Sequence, residues 1–291
     1  MAKKINVSIG IFAYNEEKNL EKTVNSIFKQ NLEIARIKEI LIISSGSNDH
    51  TNTIARKLAK KDSRVKLLDQ LRREGKSAAI NLFVRKASSS VLLAVSADLR
   101  LRSDAVEEIT LPFLHEDVGM VGAHPIPSNS HLSSIGKEVK LLWELHHYVS
   151  LKHPKCGEMV AFRNVIHSIP EQSAVDEATL EVLLKLVGYK VVYAPRAIVY
   201  NKAPLSTEEF LTQRRRVYAG HQWISAKYNY RVSTMGVENS LKAILEYLLN
   251  HPTDLLPLLK LLALEGYGRM LGWIDFHIFG RNPYVWKMVN R

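Results

Sequence analysis

The feature that most constrains the fold is a regular alternation of short apolar runs and amphipathic runs over the first hundred residues. The apolar runs predict strands at residues 7–12, 37–43, 65–68 and 91–95. The amphipathic runs, with apolar residues three and four apart, predict helices at residues 17–30, 51–60 and 76–86. Residues 40–43 are wholly apolar, as expected for a strand with both faces buried. Strands that alternate with helices through short connections predict βαβ units and a parallel sheet.

Polar residues follow three of these strands at the point where each one ends. The segments are Tyr14-Asn15-Glu16, Ser44 to Asp49, and Ser96-Ala97-Asp98. Right-handed crossovers place the carboxyl ends of parallel strands along one edge of the sheet. Ligands of open parallel sheets bind beyond that edge, so these segments predict a ligand site.

The remainder of the chain divides into two parts. Further strands are predicted at residues 118–123, 157–163, 190–194 and 197–201, and helices at 104–114, 137–151 and 176–187. From residue 206 the pattern becomes wholly helical, with a basic helix at 207–227, an apolar one at 237–249 and a Leu-rich, aromatic one at 255–279. We therefore expect a domain over residues 1–205, with halves at 1–100 and 101–205, and a helical extension over 206–291.

Charge and cysteine content narrow the function classes. The formal net charge is +11, which indicates an anionic partner such as nucleic acid, a phosphate-bearing substrate or an anionic membrane surface. Cys156 is the single cysteine, which excludes a disulfide framework and a cysteine-based metal site within one chain. The N-terminus lacks the pattern of a signal peptide, and Pro257 and Lys260 interrupt the most apolar run. We expect a cytoplasmic protein, either soluble or peripheral on the cytoplasmic face of the membrane.

Six polar motifs occur in a characteristic order. They are Ala13-Tyr14-Asn15-Glu16-Glu17, Ser44-Ser45-Gly46-Ser47-Asn48-Asp49, Arg73-Glu74-Gly75-Lys76, Ser96-Ala97-Asp98, Asp176-Glu177 and Gln213-Arg214-Arg215-Arg216. From about Ile5 to His221 the chain resembles the family 2 glycosyltransferases, inverting enzymes of the GT-A fold. The resemblance implies an α/β fold with a Rossmann-like, mostly parallel sheet flanked by helices, here with a C-terminal helical extension.

The resemblance assigns the first two motifs to the base and ribose of a nucleotide-sugar. Tyr14, Asn15 and Glu16 stand in the first motif. Ser44 and Ser45 occupy positions where the family commonly has two aspartates, one of which reads the base. A serine hydroxyl can still hydrogen-bond to a base edge. The alternative for the first motif is a turn in which Asn15 or Glu16 caps the following helix.

Basic residues of the third and sixth motifs are implied to hold the diphosphate. Arg73 and Lys76 belong to the third motif, and Lys76 begins a helix, where anions are favoured. Gln213 and Arg216 are three residues apart on one helix face. Val217 replaces the Trp that belongs to the acceptor site in processive members, which weakens the case for long-chain synthesis. The alternative for Arg73 and Lys76 is a solvated basic turn.

The fourth and fifth motifs are implied to carry the metal and the chemistry. Family members bind Mg²⁺ or Mn²⁺ with Asp-x-Asp, but here Ser96 replaces the first aspartate and Asp98 alone keeps the metal role. Asp176 and Glu177 are transposed relative to the family's Glu-Asp, and counting back from Gly188 puts Glu177 at the general-base position. An inverting transfer needs such a carboxylate to take the proton of the acceptor hydroxyl. The alternative is that both acids only favour a helix N-terminus.

We therefore expect an inverting transfer of sugar from a UDP- or GDP-sugar to a saccharide or a polyprenyl or other lipid acceptor, with Mg²⁺ or Mn²⁺. The alternatives are a nucleotidyltransferase, which shares the nucleotide-binding sheet, and a non-catalytic nucleotide-sugar-binding homologue. Nucleic acid is the least favoured partner, because no helix-turn-helix, zinc-finger or RNA-binding signature occurs. For the C-terminal helices, contact with a membrane, a cap on the core and a homodimer interface remain open.

Overall fold

The computed structural model describes residues 4–282 and residue 284, and within them forms eight strands and nine α-helices. The strands are β1 (Ile5–Ala13), β2 (Ala35–Ser45), β3 (Val65–Gln70), β4 (Val91–Ser96), β5 (Arg100–Leu101), β6 (Val118–Pro127), β7 (Met159–Arg163) and β8 (Lys190–Asn201). The helices are α1 (Leu20–Phe28), α2 (Thr51–Lys61), α3 (Lys76–Lys86), α4 (Ala105–Thr110), α5 (Gly136–Lys152), α6 (Asp176–Leu186), α7 (Thr207–Tyr228), α8 (Val237–Asn250) and α9 (Leu255–His277). None of the described helices is both long enough and apolar enough to cross a bilayer.

The strands make one mixed sheet in the order β3-β2-β1-β4-β7-β6-β8-β5. Strands β3, β2, β1 and β4 run parallel to one another, as the alternation of strands and helices predicts. Their carboxyl ends share one edge, so the three polar segments that follow β1, β2 and β4 lie together there. The α/β fold expected from the sequence is confirmed.

Two features of the second half differ from a simple parallel arrangement. Strand β7 is antiparallel to both of its neighbours, β4 and β6. The runs predicted at 190–194 and 197–201 are one strand, β8, whose pairing with β6 shifts register between Gly122 and His124. Because of this shift, β8 continues as one strand through Pro195 and Arg196. A two-residue edge strand, β5, then pairs antiparallel with the end of β8.

The core lies on both faces of the sheet. Helices α1, α2 and α4 pack on one face, where Leu20, Leu58 and Ile109 are buried. Helices α3 and α6 pack on the other face, where Phe83 and Leu184 are buried. Both faces of the central strands are therefore apolar, which explains their unbroken apolar sequence.

Helix α1 begins three residues later than the residue 17 predicted from periodicity. The backbone carbonyl of Glu16 accepts hydrogen bonds from the amides of Asn19 and Leu20, and this turn occupies residues 16–19. Neither Asn15 nor Glu16 caps the helix with its side chain. The turn leaves Tyr14, Asn15 and Glu16 outside the helix, at the end of the sheet.

The C-terminal helices pack against the rest of the chain. Helix α9 crosses α7, where Gly268 and Gly272 meet the side chain of Arg214 and the backbone oxygen of Arg215. Helices α5, α8 and α9 share an apolar cluster that includes buried Leu258 and Leu261. This part of the chain is thus joined to α5 of the preceding region by apolar packing.

Candidate active site

A cleft of about 990 Å³ lies at the carboxyl ends of β1, β2 and β4 and extends to α7. Almost every residue that the sequence singles out lines it. They are Tyr14, Asn15, Glu16, Ser45, Arg73, Lys76, Ser96, Asp98, Asp176, Glu177, Gln213 and Arg216. Ser44 does not line the cleft, because it is fully buried beneath the loop and its hydroxyl donates to Ser47 Oγ at 2.9 Å.

Hydrogen bonds tie the loop after β1 to the loop after β2. The amide of Asn15 donates to Ser47 Oγ at 3.2 Å, and Asn15 Oδ1 accepts from the amide of Asn48 at 2.9 Å. The amide of Glu16 donates to Thr51 Oγ1 at 2.7 Å. Asn15 adopts a left-handed backbone with φ of 55°, a conformation that asparagine tolerates better than most residues. The two loops at this end of the cleft are therefore a preformed unit.

The same end of the cleft offers an aromatic ring, a cation and a buried hydroxyl. The guanidinium of Arg73 lies 4.2 Å from the centroid of the Tyr14 ring. Ser45 is 7% exposed, and its hydroxyl has no hydrogen-bond partner among the described residues. A buried hydroxyl without a partner costs free energy, so a polar group that enters the cleft beside Ser45 would gain by bonding to it. This combination suits a heteroaromatic base with polar edges.

An ion pair joins the third motif to the fifth across the cleft. Gly75 has a φ of 95°, which an L-residue rarely adopts, and it immediately precedes α3, whose first residue, Lys76, lines the cleft. Lys76 Nζ lies 2.5 Å from Glu177 Oε1 and 3.6 Å from Asp176 Oδ2. Ser77 Oγ donates to Asp176 Oδ1 at 2.6 Å. Residues about 100 positions apart in the chain thus meet where α3 and α6 both begin.

Charge and burial set opposite pKa shifts for the two carboxyl groups. Burial opposes ionisation of Glu177, but the nearby ammonium of Lys76 outweighs it and lowers the pKa of Glu177. For Asp176, burial dominates over the charge of Lys76 and raises the pKa. The pKa of Lys76 is raised, because the charges of Glu177 and Asp176 outweigh the cost of burying the ammonium. Of the two, Glu177 is therefore the carboxylate that stays ionised to lower pH.

The metal position has fewer carboxylates than an Asp-x-Asp pair would supply. Among residues 4–282 and 284, no group of three or more His, Cys, Asp or Glu side chains is arranged to hold a metal ion. Asp98, Ser96 and Glu158 nevertheless line the same part of the cleft and provide only oxygen donors. Mg²⁺ and Mn²⁺ prefer oxygen and are commonly held by one or two carboxylates together with substrate phosphates. The donor chemistry at this end of the cleft fits such an ion.

Glu158 is a cleft residue that the sequence motifs do not single out. It stands immediately before β7 and has a left-handed φ of 61°. Burial, and next the negative charges of Asp98 and Glu177, raise the pKa of Glu158 to about 7. Glu158 has no assigned role among those motifs, although the segment from Lys155 to Arg163 resembles a family region that borders the acceptor. The place of Glu158 in the cleft depends on β7 pairing antiparallel with β4.

The three consecutive arginines of the sixth motif have different surroundings. Arg214 donates to both carboxylate oxygens of Glu265, at 2.6 and 2.8 Å, and Arg215 pairs with Asp275. Both acids belong to α9, so these two arginines anchor the C-terminal helix. Arg216 lines the cleft, where its charge helps to lower the pKa of Glu177.

A second group of basic side chains lines the cleft on the side of α5 and α7. Lys155 Nζ lies 2.6 Å from His146 Nε2, and the buried His221 of α7 is close to both. Within the described residues, no carboxylate forms an ion pair with Lys155. Burial, and next the positive charge of Arg214, lower the pKa of Lys155 to about 7, and burial also lowers the pKa of both histidines. An anion bound on this side of the cleft would favour the protonated forms of these groups.

Comparison with known proteins gives a family match over more than half of the chain. The family model described as Glycosyl transferase family 2 matches residues 8–162. A poly-β-1,6-N-acetyl-D-glucosamine synthase from Staphylococcus aureus is 25% identical over 223 residues, which cover 72% of this chain and 53% of the relative. The chain thus spans about half the length of that curated relative.

Solved structures show the same fold at low sequence identity. A mannosyltransferase from Pyrobaculum calidifontis in complex with GDP-Man and Mn²⁺ superposes with a TM-score of 0.69 and 14% identity, covering 94% of this chain and 87% of that one. GalNAc-T7 with UDP, GalNAc and Mn²⁺ gives a TM-score of 0.54 and 15% identity, covering 69% of this chain and 44% of that one. The first superposition includes most of the region after residue 205.

Proposed function

Because this chain belongs to glycosyl transferase family 2, we propose that it transfers a sugar from a nucleotide-diphosphate sugar to an acceptor oxygen, with inversion at the anomeric carbon. One observation carries the proposal. A single cleft unites the Tyr14–Arg73 pair, the cations Lys76 and Arg216, and the ionised carboxylate of Glu177. The Tyr14–Arg73 pair would contact a nucleotide base, the two cations would bind a diphosphate, and the carboxylate would accept the proton of an attacking hydroxyl.

The donor would occupy the preformed end of the cleft. Its base would contact Tyr14 and the Ser45 hydroxyl, and its diphosphate would lie near Lys76 and Arg216. Two structural neighbours carry GDP-Man and UDP respectively, which supports a UDP- or GDP-sugar as donor here. Arginine and lysine would stabilise the charge that grows on the diphosphate as it leaves.

Glu177 is the proposed general base for a hydroxyl acceptor. As the acceptor oxygen forms a bond to the anomeric carbon, the bond from that carbon to the diphosphate oxygen breaks, and the hydroxyl proton passes to Glu177. Asp176, held by Ser77, would fix the start of α6 and thereby the position of Glu177. A Mg²⁺ or Mn²⁺ ion near Asp98 would supply positive charge that offsets the charge of the diphosphate.

A thermal-shift panel tests the donor assignment. UDP-, GDP-, TDP- and CMP-sugars and the corresponding nucleoside triphosphates are compared with and without Mn²⁺. A ligand at roughly 100 times its Kd stabilises the folded state by about 2.7 kcal/mol, which a Tm shift detects. We expect one nucleotide class to raise the Tm. Stabilisation only by a nucleoside triphosphate would instead favour the alternative, a nucleotidyltransferase.

Glu177→Gln separates catalysis from binding. The amide keeps the size of the side chain but cannot take a proton at neutral pH, so transfer to a hydroxyl should fall by at least 100-fold. The Tm shift produced by the donor should persist. Full turnover by the variant would remove Glu177 as base, and donor binding without turnover by the wild type would favour the non-catalytic homologue.

The basic side of the cleft favours a phosphate-bearing acceptor, such as a polyprenyl or other lipid phosphate, over a neutral saccharide. An anion beside Lys155 would favour the charged form of its ammonium group, which burial and the charge of Arg214 disfavour. A phosphate oxygen is already anionic, so its attack would not depend on Glu177. The two acceptor classes therefore predict different sensitivities to Glu177→Gln.

Lys155→Met tests the phosphate acceptor. A short-chain prenyl phosphate is compared with the corresponding prenyl alcohol and with an oligosaccharide, and Lys152→Met serves as a control because that lysine is exposed and pairs with Glu246. We expect Lys155→Met to raise the KM for the prenyl phosphate by at least tenfold. An unchanged KM, or equal use of the alcohol, would contradict phosphate recognition at this side.

We further propose that the protein acts at the cytoplasmic face of a membrane, through exposed leucines of α8 and α9. Leu245, Leu249 and Leu256 are 63%, 84% and 77% exposed. Such a surface, on a chain with a net charge of +11, suits an anionic lipid interface, where a lipid acceptor would also be found. A homodimer through the same helices is the alternative.

A further inference from the structure

The strand that precedes Asp98 ends without the first carboxylate of the family's metal motif. Ser96 stands in that position, and its hydroxyl is a weaker ligand for a divalent cation than a carboxylate. A site that keeps only Asp98 would carry one negative charge where the family's pattern carries two. The cleft contains a candidate replacement.

The pairing of β4 with β7 brings Glu158 to the end of the sheet where Ser96 lies. Strands β4 and β7 are antiparallel, and their pairing ends with Val95 and Met159. Immediately beyond this pair stand Ser96, the last residue of β4, and Glu158, the residue that leads into β7. A carboxylate lost from one strand is thus matched by a carboxylate on the adjacent strand.

The side chain of Glu158 is directed into the cleft. Asn201 Nδ2 donates to Glu158 Oε1 at 3.2 Å and orients the carboxylate group. Glu158 lines the cleft together with Ser96 and Asp98. Asp98 stands two residues beyond Ser96, in the segment that follows β4, and lines the same cleft as Glu158.

We propose that Glu158 supplies the second carboxylate of the divalent-cation site, so that Asp98 and Glu158, from neighbouring strands, replace two aspartates of one strand. This inference rests on the proposed function, because it assigns a ligand to the cation that a diphosphate donor would require. Two carboxylates from different strands would hold the cation over the same edge of the sheet and leave its other positions to phosphate oxygens and water.

Binding of Mn²⁺ alone tests the proposal without any turnover. Free Mn²⁺ is measured by electron paramagnetic resonance during titration of the full chain, first without nucleotide and then with UDP or GDP. Glu158→Gln keeps the acceptor for Asn201 but removes the charge, and we expect at least a tenfold loss of Mn²⁺ affinity, since even outer-shell changes cost roughly 10–100-fold. Glu171→Gln, at an exposed acid outside the cleft, should bind as the wild type does.

A rescue variant separates a ligand from a merely structural residue. Adding Ser96→Asp to Glu158→Gln restores a second carboxylate, now at the first position of the family's metal motif. We expect the Mn²⁺ affinity of this double variant to return to within about threefold of the wild type, because two carboxylates are again available to the cation. The proposal is overturned if the wild type binds no Mn²⁺, if Glu158→Gln binds as tightly as Glu171→Gln, or if Ser96→Asp restores nothing. Nucleotide-sugar binding to the wild type is measured in parallel at saturating Mn²⁺, and its absence there, with Mn²⁺ binding intact, would count against the proposed function alone.

Discussion

At the scale of single residues, the ammonium group of Lys76 controls the ionisation of Glu177, the proposed base. Lys76 Nζ lies 2.5 Å from Glu177 Oε1, and this charge keeps the Glu177 carboxyl ionised despite its burial. A carboxylate held so firmly accepts a proton poorly. Glu177 would become a stronger base once the Lys76 ammonium turns toward a diphosphate.

Lys76→Met should shift the acid limb of the pH–rate profile upward. A base works only when ionised, so the rate falls as pH drops through its pKa, and that pKa is lower with Lys76 present than without it. As the pH is lowered, the rate of transfer to a hydroxyl acceptor should therefore begin to fall at a higher pH for the variant than for the wild type. The kcat/KM profile between pH 4 and 9 measures this. An acid limb that stays in place would show that the ion pair does not control the base.

At the scale of secondary-structure elements, the contact of α7 with α9 decides what the C-terminal helices do. A Cβ on Gly272 would lie 2.5 Å from the backbone oxygen of Arg215, and one on Gly268 would lie 2.8 Å from Cβ of Arg214. Small residues there let the helices approach closely, and the Arg214–Glu265 pair fixes their register. Burial opposes ionisation of Glu265, but Arg214 outweighs it and lowers the pKa of Glu265 to about 2.

Two glycines of the same helix make a matched stability test. Gly272→Ala places a methyl group against a backbone atom and should lower the free energy of unfolding by about 1–3 kcal/mol. Gly266 has no atom within 4 Å of an added Cβ, so Gly266→Ala should raise it by about 0.5–1 kcal/mol through helix propensity. Urea denaturation compares the two. Equal effects would contradict close packing of α9 on α7.

The elements also show which parts of the fold the sequence predicts. Local periodicity predicts the parallel strands and their helices, and a general rule of parallel sheets then gathers the polar strand ends into one cleft. No local pattern in the sequence predicts that β7 runs antiparallel to its neighbours. The position of Glu158 near Ser96 depends on that direction, so no local pattern predicts it either. The ion pairs of Arg214 and Arg215 could not be predicted from the sequence either, because their partners are acids of α9 that lie about 50 and 60 residues away in the chain.

At the scale of the whole molecule, the net charge of +11 divides between the cleft and the remaining surface. Lys76, Lys155 and Arg216 line the cleft, where a donor diphosphate and an anionic acceptor would meet them. Several leucines of α8 and α9, outside the cleft, are exposed. Cationic charge together with exposed apolar side chains is typical of proteins that bind an interface without crossing it.

Vesicle co-sedimentation tests this surface. The wild type should bind vesicles that contain anionic lipid more strongly than neutral ones, and binding should weaken as salt rises. Replacing Leu245, Leu249 and Leu256 together by Gln should reduce binding at least fivefold, since each buried leucine contributes roughly 1.5–3 kcal/mol at full burial. Leu186→Gln, at a leucine of α6 that is 66% exposed, is the control. Absence of vesicle binding with dimerisation in light scattering would favour the homodimer.

The Lys76–Glu177 ion pair has a consequence for the thermodynamics of donor binding. If the diphosphate draws Lys76 away, Glu177 loses the charge that holds its pKa down, and its affinity for hydrogen ions increases. Binding should then take up protons from the buffer at mildly acid pH. Calorimetric titrations in buffers of different ionisation enthalpy would register this uptake, and Glu177→Gln should abolish it.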